Sequence, residues 1–317
     1  MFAIYSRFKS GHRKEYIDFI KNHFKSYESN AFNAVITKDT SLFLMIEENF
    51  ALFCFTAFFR AICKKKTAGL LFRPKPALTS KLLKHKAKKI MLKFLKKFRY
   101  IGIYTISSHK IFPEYKQISN ACIYDFQFYD LDKEFDSSHH SSDIDKYLNT
   151  EKKIILSIGF QDSYKQPDMF IKLINDNRLR EKYLFVLAGK QPNEIMDIET
   201  FKEKGGVVIN DYLDESDFNF LLNKSDFLWA YYSSDYDQSS GVAGRAIQLK
   251  KQLITRKDSV IDCICAYHAI PTISVNEQDL VHQLISANKV NYESKEITRE
   301  MKEFSIHALK LFNSDNE

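Results

Sequence analysis

The feature that most constrains the fold is a regular alternation of short apolar segments and helical segments that begins at Lys153. The predicted strands are 154–158, 184–188, 207–209, 227–230, 253–255 and 272–274. No hairpin turn joins neighbouring strands, and strands that are connected through helices lie parallel to one another. The sequence therefore predicts an α/β fold with a parallel sheet, in which ligands bind beyond the carboxyl ends of the strands.

The first half of the chain shows the same alternation less regularly. Strands are predicted at 2–5, 34–37, 69–72, 100–106 and 120–128, and helices at 14–25, from 39–40 onward and at 80–99. Ser80 is the expected N-cap of the last helix. The polar segment 136–145, which contains His139 and His140, is the predicted linker; the two histidines are either metal ligands or solvated. This divides the chain into domains at 1–145 and 146–317.

Charge is distributed unevenly along the chain. The formal net charge is +7, and 16 Lys and Arg residues but no acidic residue lie between Glu48 and Glu114. A basic surface of this kind attracts nucleic acid, anionic lipid or a phosphorylated substrate. Few aromatic residues interleave with the lysines of the basic helix and no nucleic-acid reader motif is present, so nucleic acid is not expected as a partner.

The segment 81–99 is predicted to form an amphipathic basic helix. Its apolar residues follow three-to-four spacing, and its lysines lie on the opposite face. The apolar positions are Leu83, Ala87, Ile90, Met91, Phe94 and Phe98. We expect the apolar face to pack inward, while the lysines are either simply solvated or rest on an anionic membrane surface.

The segment from Tyr231 to Ala246 follows the apolar run 227–230 and opens into a helix through small polar residues. A strand that passes through such a turn into a helix directs free backbone N–H groups toward one point, which suits a phosphate. Gly241 would let the backbone approach a ligand closely, and Arg245 could add a fork of donors to a diphosphate. The alternative is an ordinary strand-to-helix turn.

These patterns together resemble the donor-binding domain of retaining glycosyltransferases with the two-Rossmann-domain GT-B architecture, especially family 4. The resemblance covers roughly 153–285. Gly159 and Lys165 match the family's glycine and phosphate-binding lysine. The matching acidic position and the strand end are Asp168 and the segment 187–189. The family then has two glutamates eight positions apart, and here Asp237 and Arg245 stand at that spacing.

The resemblance implies a GT-B-like fold of two Rossmann-like domains, the N-terminal one reduced, and a metal-independent, retaining transfer without a cofactor. The donor is expected to be a nucleotide-sugar and the acceptor a polysaccharide or lipid-linked glycan. The diphosphate would bind Gly159, Lys165, Arg245 and the backbone of Ser239, Ser240, Gly241 and Val242. Asp237 would orient the sugar hydroxyls.

Two departures from the family pattern leave an alternative open. The second glutamate is replaced by Arg245, which cannot accept hydrogen bonds from a ribose, and the arginine expected soon after Gly159 is absent. The alternative is a catalytically inactive binding or scaffold protein with the same fold. His109, which follows a predicted strand, is either an acceptor-site contact or base, or a structural histidine.

The expected location is the cytoplasm, or the inner face of the cell membrane if the acceptor is lipid-linked. No signal peptide is recognised, and five cysteines without a framework spacing favour a reducing compartment.

Overall fold

The structure is a computed structural model that describes residues 1–9, 12–130, 144–145, 148–191, 195 and 197–314. Two compact units are present. Unit 1 comprises Met1–Phe126 and Arg299–Glu317, and unit 2 comprises Gln127–Thr298. The division differs from the predicted boundary at 145/146 in two ways: unit 2 begins at Gln127, and most of the C-terminal helix, from Arg299 onward, belongs to unit 1. Most of the predicted linker, with His139 and His140, lies outside the described residues.

Unit 1 is built on a six-stranded parallel sheet in the order β2-β1-β3-β4-β5-β6. Its strands are β1 (Phe2–Tyr5), β2 (Ser26–Ser29), β3 (Thr40–Phe43), β4 (Thr67–Leu71), β5 (Ile101–Thr105) and β6 (Ala121–Cys122). Its helices are α1 (His12–His23), α2 (Ala31–Ile36), α3 (Phe50–Ile62), α4 (Pro74–Thr79), α5 (Leu83–Leu95) and, from the C-terminal segment, α13 (Lys295–Asn313). Strands β3, β4 and β5 are buried along their whole length, as expected for parallel strands covered on both faces.

Three predictions for the first half were wrong in detail. The segment 34–37 is not a strand: residues 34–36 lie in helix α2 and Thr37 is its C-cap, because the Asn30 side chain accepts a hydrogen bond from the Asn33 N–H and caps the start of the helix. The region after Asp39 begins with strand β3 and not with a helix. Ser80 is not the N-cap of α5, which begins at Leu83 with Leu82 as its N-cap.

The orientation of α5 also differs from the prediction. Leu92 and Leu95 are the buried residues of this helix and join the core of unit 1. Leu83, Ile90 and Phe94 are instead 83%, 70% and 45% exposed. The predicted apolar face therefore does not pack inward and remains accessible between the lysines.

Unit 2 contains the second six-stranded parallel sheet, in the order β12-β11-β10-β7-β8-β9. Its strands are β7 (Lys153–Ile158), β8 (Tyr183–Ala188), β9 (Val207–Ile209), β10 (Phe227–Ala230), β11 (Gln252–Arg256) and β12 (Thr272–Val275). All six predicted strands are thus confirmed. Numbered from β7 as the first strand, the order is 3-2-1-4-5-6, in which the direction of winding reverses between β7 and β10.

The helices of unit 2 are α6 (Pro167–Lys172), α7 (Asn177–Lys182), α8 (Ile198–Glu203), α9 (Glu215–Lys224), α10 (Gly241–Gln248), α11 (Val260–Tyr267) and α12 (Leu280–Ser286). Asp214 caps α9 as predicted, since its side chain accepts from the Asp217 N–H. On one face of the sheet, Trp229 of β10 packs at 5.4 Å between ring centroids against Phe170 of α6. This contact fixes the helix that follows the first loop of the sheet. Among the described residues, no helix combines the length and the apolar character that crossing a membrane requires.

Candidate functional site

The site lies at the carboxyl ends of β7 and β10, where the winding of the unit 2 sheet reverses. In open α/β sheets this crevice is the usual ligand site. Gly159 directly follows β7 and has a φ of +93°, a conformation that L side chains rarely adopt. A Cβ at this position would stand 2.8 Å from Lys165 Nζ and 3.9 Å from Val242 Cγ2. Three of the predicted donor-binding residues therefore meet around one backbone position.

Lys165 lies in a short turn that joins β7 to α6. Its ammonium donates a hydrogen bond of 2.5 Å to the carbonyl oxygen of Ile158, the last residue of β7. Trp229 Nε1 donates to the Lys165 carbonyl at 2.9 Å, so the backbone of this turn is fastened to β10. Burial lowers the pKa of Lys165 to about 8, with Asp162 opposing the shift. An anion at this position would stabilise the charged ammonium, which burial destabilises.

The N-terminus of α10 supplies backbone groups beside this lysine. Ser240 is the N-cap; its hydroxyl accepts from the Ala243 N–H at 3.4 Å and contacts the Tyr232 hydroxyl at 3.1 Å. Ser239 and Ser240 are both buried. The N–H groups of the first helical turn have no carbonyl partner within their own helix, so their partial positive charge favours an anion.

Gly241 and Gly244 lie close to another segment of unit 2. A Cβ at Gly241 would fall 1.7 Å from the side-chain oxygen of Gln127, and a Cβ at Gly244 would fall 2.5 Å from the Gln127 carbonyl oxygen. The segment that begins unit 2 thus packs directly on α10. The glycines accommodate this protein segment, and the space beside Gly241 is occupied by Gln127.

Arg245 is paired within the protein. Its Nη2 lies 3.1 Å from Asp130 Oδ2, and both side chains are 12% exposed. Gln248, one turn later, donates to the other Asp130 oxygen at 3.0 Å and to the Gln127 carbonyl at 2.9 Å. A contact between Arg245 and a diphosphate would therefore require this ion pair to open.

Asp237 is likewise held by protein groups. Its Oδ1 accepts from the Val260 N–H at 2.7 Å, at the start of α11, and its Oδ2 lies 3.5 Å from Arg256 Nη2. The side chain is 5% exposed. Arg256 Nε also donates to the Tyr232 carbonyl at 3.0 Å. Asp237 and Arg256 together fasten the loop 231–240 to β11 and α11.

His109 lies in unit 1, after the carboxyl end of β5. Its Nε2 is 2.8 Å from Ser119 Oγ, and that hydroxyl donates its proton to the Tyr115 carbonyl at 2.7 Å. Ser119 must therefore accept from His109, which assigns the ring proton to Nε2 and leaves the lone pair on Nδ1. Burial, together with Lys116 and Lys96, lowers the pKa of His109 to about 4. A base with this pKa is weak at neutral pH.

Sequence reasoning missed two residues at this edge of the unit 2 sheet. Gln161, which stands in the region where the family has an arginine, is 2% exposed, and its Nε2 donates to the Ala188 carbonyl at 3.1 Å. Arg256 is the second. Its signal was its place as the last residue of strand β11, because ligands bind beyond the carboxyl ends of the strands.

Comparison with known proteins yields structural similarity only. No family model matches the chain, and no curated protein sequence matches it. A putative UDP-N-acetylglucosamine 2-epimerase from Listeria monocytogenes superposes with a TM-score of 0.53 at 11% identity, covering 99% of this chain and 97% of that protein.

Two further solved structures are similar to the same degree. An α,α-trehalose-phosphate synthase (UDP-forming) from Burkholderia vietnamiensis gives a TM-score of 0.54 at 12% identity, covering 96% of this chain and 77% of that one. The trehalose-6-phosphate protein of E. coli bound with UDP-2-fluoro glucose gives 0.52 at 9% identity, covering 96% and 76%. At these identities the comparisons show the fold alone. The GT-B-like fold with two Rossmann-like parallel-sheet domains is confirmed.

Proposed function

We propose that the chain is a glycosyltransferase that uses a nucleotide-sugar donor and a polysaccharide or lipid-linked glycan acceptor, with retention of configuration and without a metal. The observation that carries the proposal is the convergence of Gly159, the Lys165 ammonium and Val242 at the crevice between β7 and β10. A nucleotide diphosphate fits the charge and the backbone geometry of this crevice. The similar E. coli structure, which was solved with UDP-2-fluoro glucose, supports a donor of this class.

In the proposed reaction the sugar–phosphate bond breaks and negative charge accumulates on the departing diphosphate. Lys165 and the N–H groups at the start of α10 would stabilise that charge in place before the reaction begins. Asp237 and Arg256 hold the loop that presents these N–H groups. The proposal includes a role for Asp237 in orienting the sugar hydroxyls, as the resemblance implies. It also includes a contact between His109 and the acceptor.

The test is binding and turnover with a panel of nucleotide-sugars. Lys165→Met keeps the length of the side chain and removes the charge. A hydrogen bond to a charged group contributes about 1.5–3 kcal/mol, so we expect the Kd of the preferred nucleotide-sugar to rise about 10- to 100-fold. Lys172→Met is the matched control, since Lys172 is exposed on α6, and it should bind as the unaltered chain does.

The same panel separates the alternatives. Sugar transfer that depends on an added glycan acceptor supports the proposal. Conversion of the donor to an epimer without acceptor would replace it with a nucleotide-sugar epimerase, a reaction consistent with the name of the Listeria monocytogenes protein. Binding without any conversion would support an inactive scaffold, and the absence of binding by any nucleotide-sugar would refute the donor site.

A second part of the proposal concerns an anionic membrane surface at residues 81–99. Ile90 and Phe94 of α5 are 70% and 45% exposed, and the neighbouring helix α3 exposes Phe55, Phe59 and Ile62 to 62%, 45% and 65%. Exposed apolar side chains beside several lysines match the combination that holds a helix at a lipid interface. Each lysine close to an anionic surface contributes about 1 kcal/mol.

This part is tested by vesicle flotation. The full chain should float with vesicles that contain phosphatidylglycerol and not with purely zwitterionic vesicles. Ile90→Gln/Phe94→Gln should abolish flotation. The control Tyr212→Ser removes an exposed ring from unit 2, where the side chain is 85% exposed, and should have no effect. Equal flotation of all three proteins would exclude this face of α5 as the membrane contact.

A further inference from the structure

A second polar cavity lies in unit 1, at the amino-terminal edge of its sheet. Its volume is about 430 Å³, and five cationic side chains line it: Lys38, Lys64, Lys65, Lys66 and Arg99. We call it the basic cavity. It lies beside the starts of β3, β4 and β5, whereas His109 lies beyond the opposite end of β5. The basic cavity is therefore separate from His109, and the other site residues predicted from the sequence belong to unit 2.

Helix dipoles explain only part of this charge. Helices α2, α3 and α5 end shortly before Lys38, Lys64 and Arg99, and each helix C-terminus carries about half a negative charge. Three such ends balance about one and a half of the five positive charges. The cavity thus has an excess of positive charge that the helix ends do not neutralise.

Other side chains also donate hydrogen bonds to carbonyl oxygens in this region. Lys65 donates to the Ile36 carbonyl of α2 at 3.0 Å, and the Lys66 ammonium donates to the Ser314 carbonyl. The buried Arg60 donates to the carbonyls of Val35 and Thr37. In the part of the chain that the structure describes, no group accepts a hydrogen bond from the Lys38, Lys64 or Arg99 side chain. These three cations are available to a ligand.

The lining is held in place by Arg60, which is 0% exposed. Its guanidinium donates to the Thr37 and Asp39 carbonyls at 2.7 and 2.6 Å, on either side of Lys38. It also donates to the Lys66 carbonyl at 2.9 Å. One buried side chain thereby fixes the two loops that carry Lys38 and Lys66. A site organised before binding loses less entropy when its ligand arrives.

Aromatic rings form the rest of the wall. The Phe312 ring lies under Lys66 Nζ at 5.8 Å, and the Tyr100 ring lies under the Arg99 guanidinium at 5.6 Å. Gly102 leaves room for Phe312, because a Cβ there would stand 3.0 Å from the ring. The cavity therefore offers an apolar surface next to its cations, and its volume is in the range of small-molecule sites.

We propose that the basic cavity binds a phosphomonoester of small-molecule size. The phosphate, with about −1.5 to −2 charges at pH 7, would be held by Lys38, Lys64 and Arg99. The organic part would lie against Phe312 and Tyr100. The inference is independent of the proposed glycosyltransferase activity, since none of these residues belongs to unit 2.

The experiment is calorimetric titration of the full chain with four probes: inorganic phosphate, uridine monophosphate, glucose 1-phosphate and dihexanoyl phosphatidic acid below its micelle concentration. The titrations are repeated in Lys165→Met, so that binding at the donor site is separated from binding here. We expect at least one phosphomonoester to bind both proteins with a sub-millimolar Kd and more tightly than inorganic phosphate. Preference for phosphatidic acid would identify a lipid headgroup, and preference for a water-soluble ester would identify a free metabolite.

Two variants test the assignment. Lys64→Asn/Arg99→Gln removes two charges; asparagine suits the φ of +56° at Lys64. The Kd for the phosphomonoester should rise at least tenfold in this double variant. In the single variant Lys38→Gln it should rise about threefold. The control Lys14→Ser/Lys25→Ser removes the same charge from exposed positions elsewhere in unit 1. Equal affinity in cavity and control variants, or no phosphomonoester that binds more tightly than inorganic phosphate, would overturn the proposal.

Discussion

Replacement of Arg245 by glutamate would introduce the residue that stands at this position in the glycosyltransferase family that the sequence resembles. In this protein the new carboxylate would face Asp130, whose Oδ2 is now 3.1 Å from Arg245 Nη2. The change therefore converts an attraction into a repulsion. It tests whether the departure from the family pattern is a local structural adaptation.

The magnitude follows from the burial of the pair. Two unit charges about 4 Å apart interact by about 4 kcal/mol at an effective dielectric constant of about 20. Loss of one partner costs about 3–5 kcal/mol in buried pairs but at most about 1 kcal/mol in exposed ones. Since both side chains are 12% exposed, we expect Arg245→Leu to cost about 2 kcal/mol and Arg245→Glu about 3–4 kcal/mol.

The assay is urea unfolding followed by circular dichroism, with a double-mutant cycle between positions 130 and 245. Asp130→Leu/Arg245→Leu should recover at least about 1 kcal/mol relative to the sum of the single variants, because no charge is left unpaired. The control Lys202→Leu breaks the exposed Lys202–Glu199 pair, with side chains 47% and 75% exposed, and should cost under about 0.5 kcal/mol.

Two results would refute the reasoning. If the Arg245→Leu variant unfolds at the same urea concentration as the unaltered chain, the ion pair contributes nothing to stability. Additive single effects in the cycle would show that the two residues do not interact in solution. In either case the diphosphate contact predicted from the sequence would become the better explanation of Arg245.

Three further predictions concern Lys165, Gly189 and His109. Because the folded-state pKa of Lys165 is lowered from 10.5 to about 8, the unfolded chain binds this proton more tightly between those values. The free energy of unfolding should therefore rise from pH 8 to 10.5 while nucleotide-sugar affinity falls, as thermal shifts measured with and without donor would show. In Lys165→Met the rise in stability should be smaller, since Lys251, whose pKa is also lowered to about 8, still contributes, and the fall in affinity should be absent. Gly189→Ala should destabilise the fold by at least about 2 kcal/mol more than Gly205→Ala, as measured by chemical denaturation. Both glycines have positive φ, but a Cβ at Gly189 would stand 2.1 Å from the Gly159 carbonyl oxygen, whereas a Cβ at Gly205 would meet no atom within 4 Å. The imidazole of His109 should titrate near pH 4 by NMR, and a titration midpoint above pH 6 would contradict its burial.

The fold of unit 2 was predictable because its strands are short, mostly apolar runs separated by helices. In unit 1 the signals are weaker. Strand β2 is polar (Ser26–Ser29) and strand β3 contains Thr40 and Ser41, so neither shows the apolar run typical of a buried strand. The run 34–37 is rich in β-branched residues, but the cap at Asn30 and packing place most of it in a helix.

The part of the candidate site that depends on the order of strands and helices was predictable. The contacts that segments distant in the sequence make with it were not. The convergence of Gly159, Lys165 and Val242 follows from parallel strands, whose carboxyl ends share one edge. The partner of Arg245 could not be found in the same way, since Asp130 is 115 positions away in the chain. A pattern along the sequence does not identify which distant segment an element contacts.

The pairing of Asp237 and Arg245 with protein groups has a consequence for how this site would work. In the resembling family both positions act on the donor, whereas here Asp237 anchors the loop 231–240 to α11 and Arg245 anchors the segment 127–130 to α10. Both anchors hold segments that border α10. Any donor would then be held mainly by the Lys165 ammonium and backbone N–H groups, which recognise a diphosphate but do not distinguish one sugar from another. The proposed contact of Asp237 with the sugar would accordingly require its bonds to the Val260 N–H and to Arg256 to open.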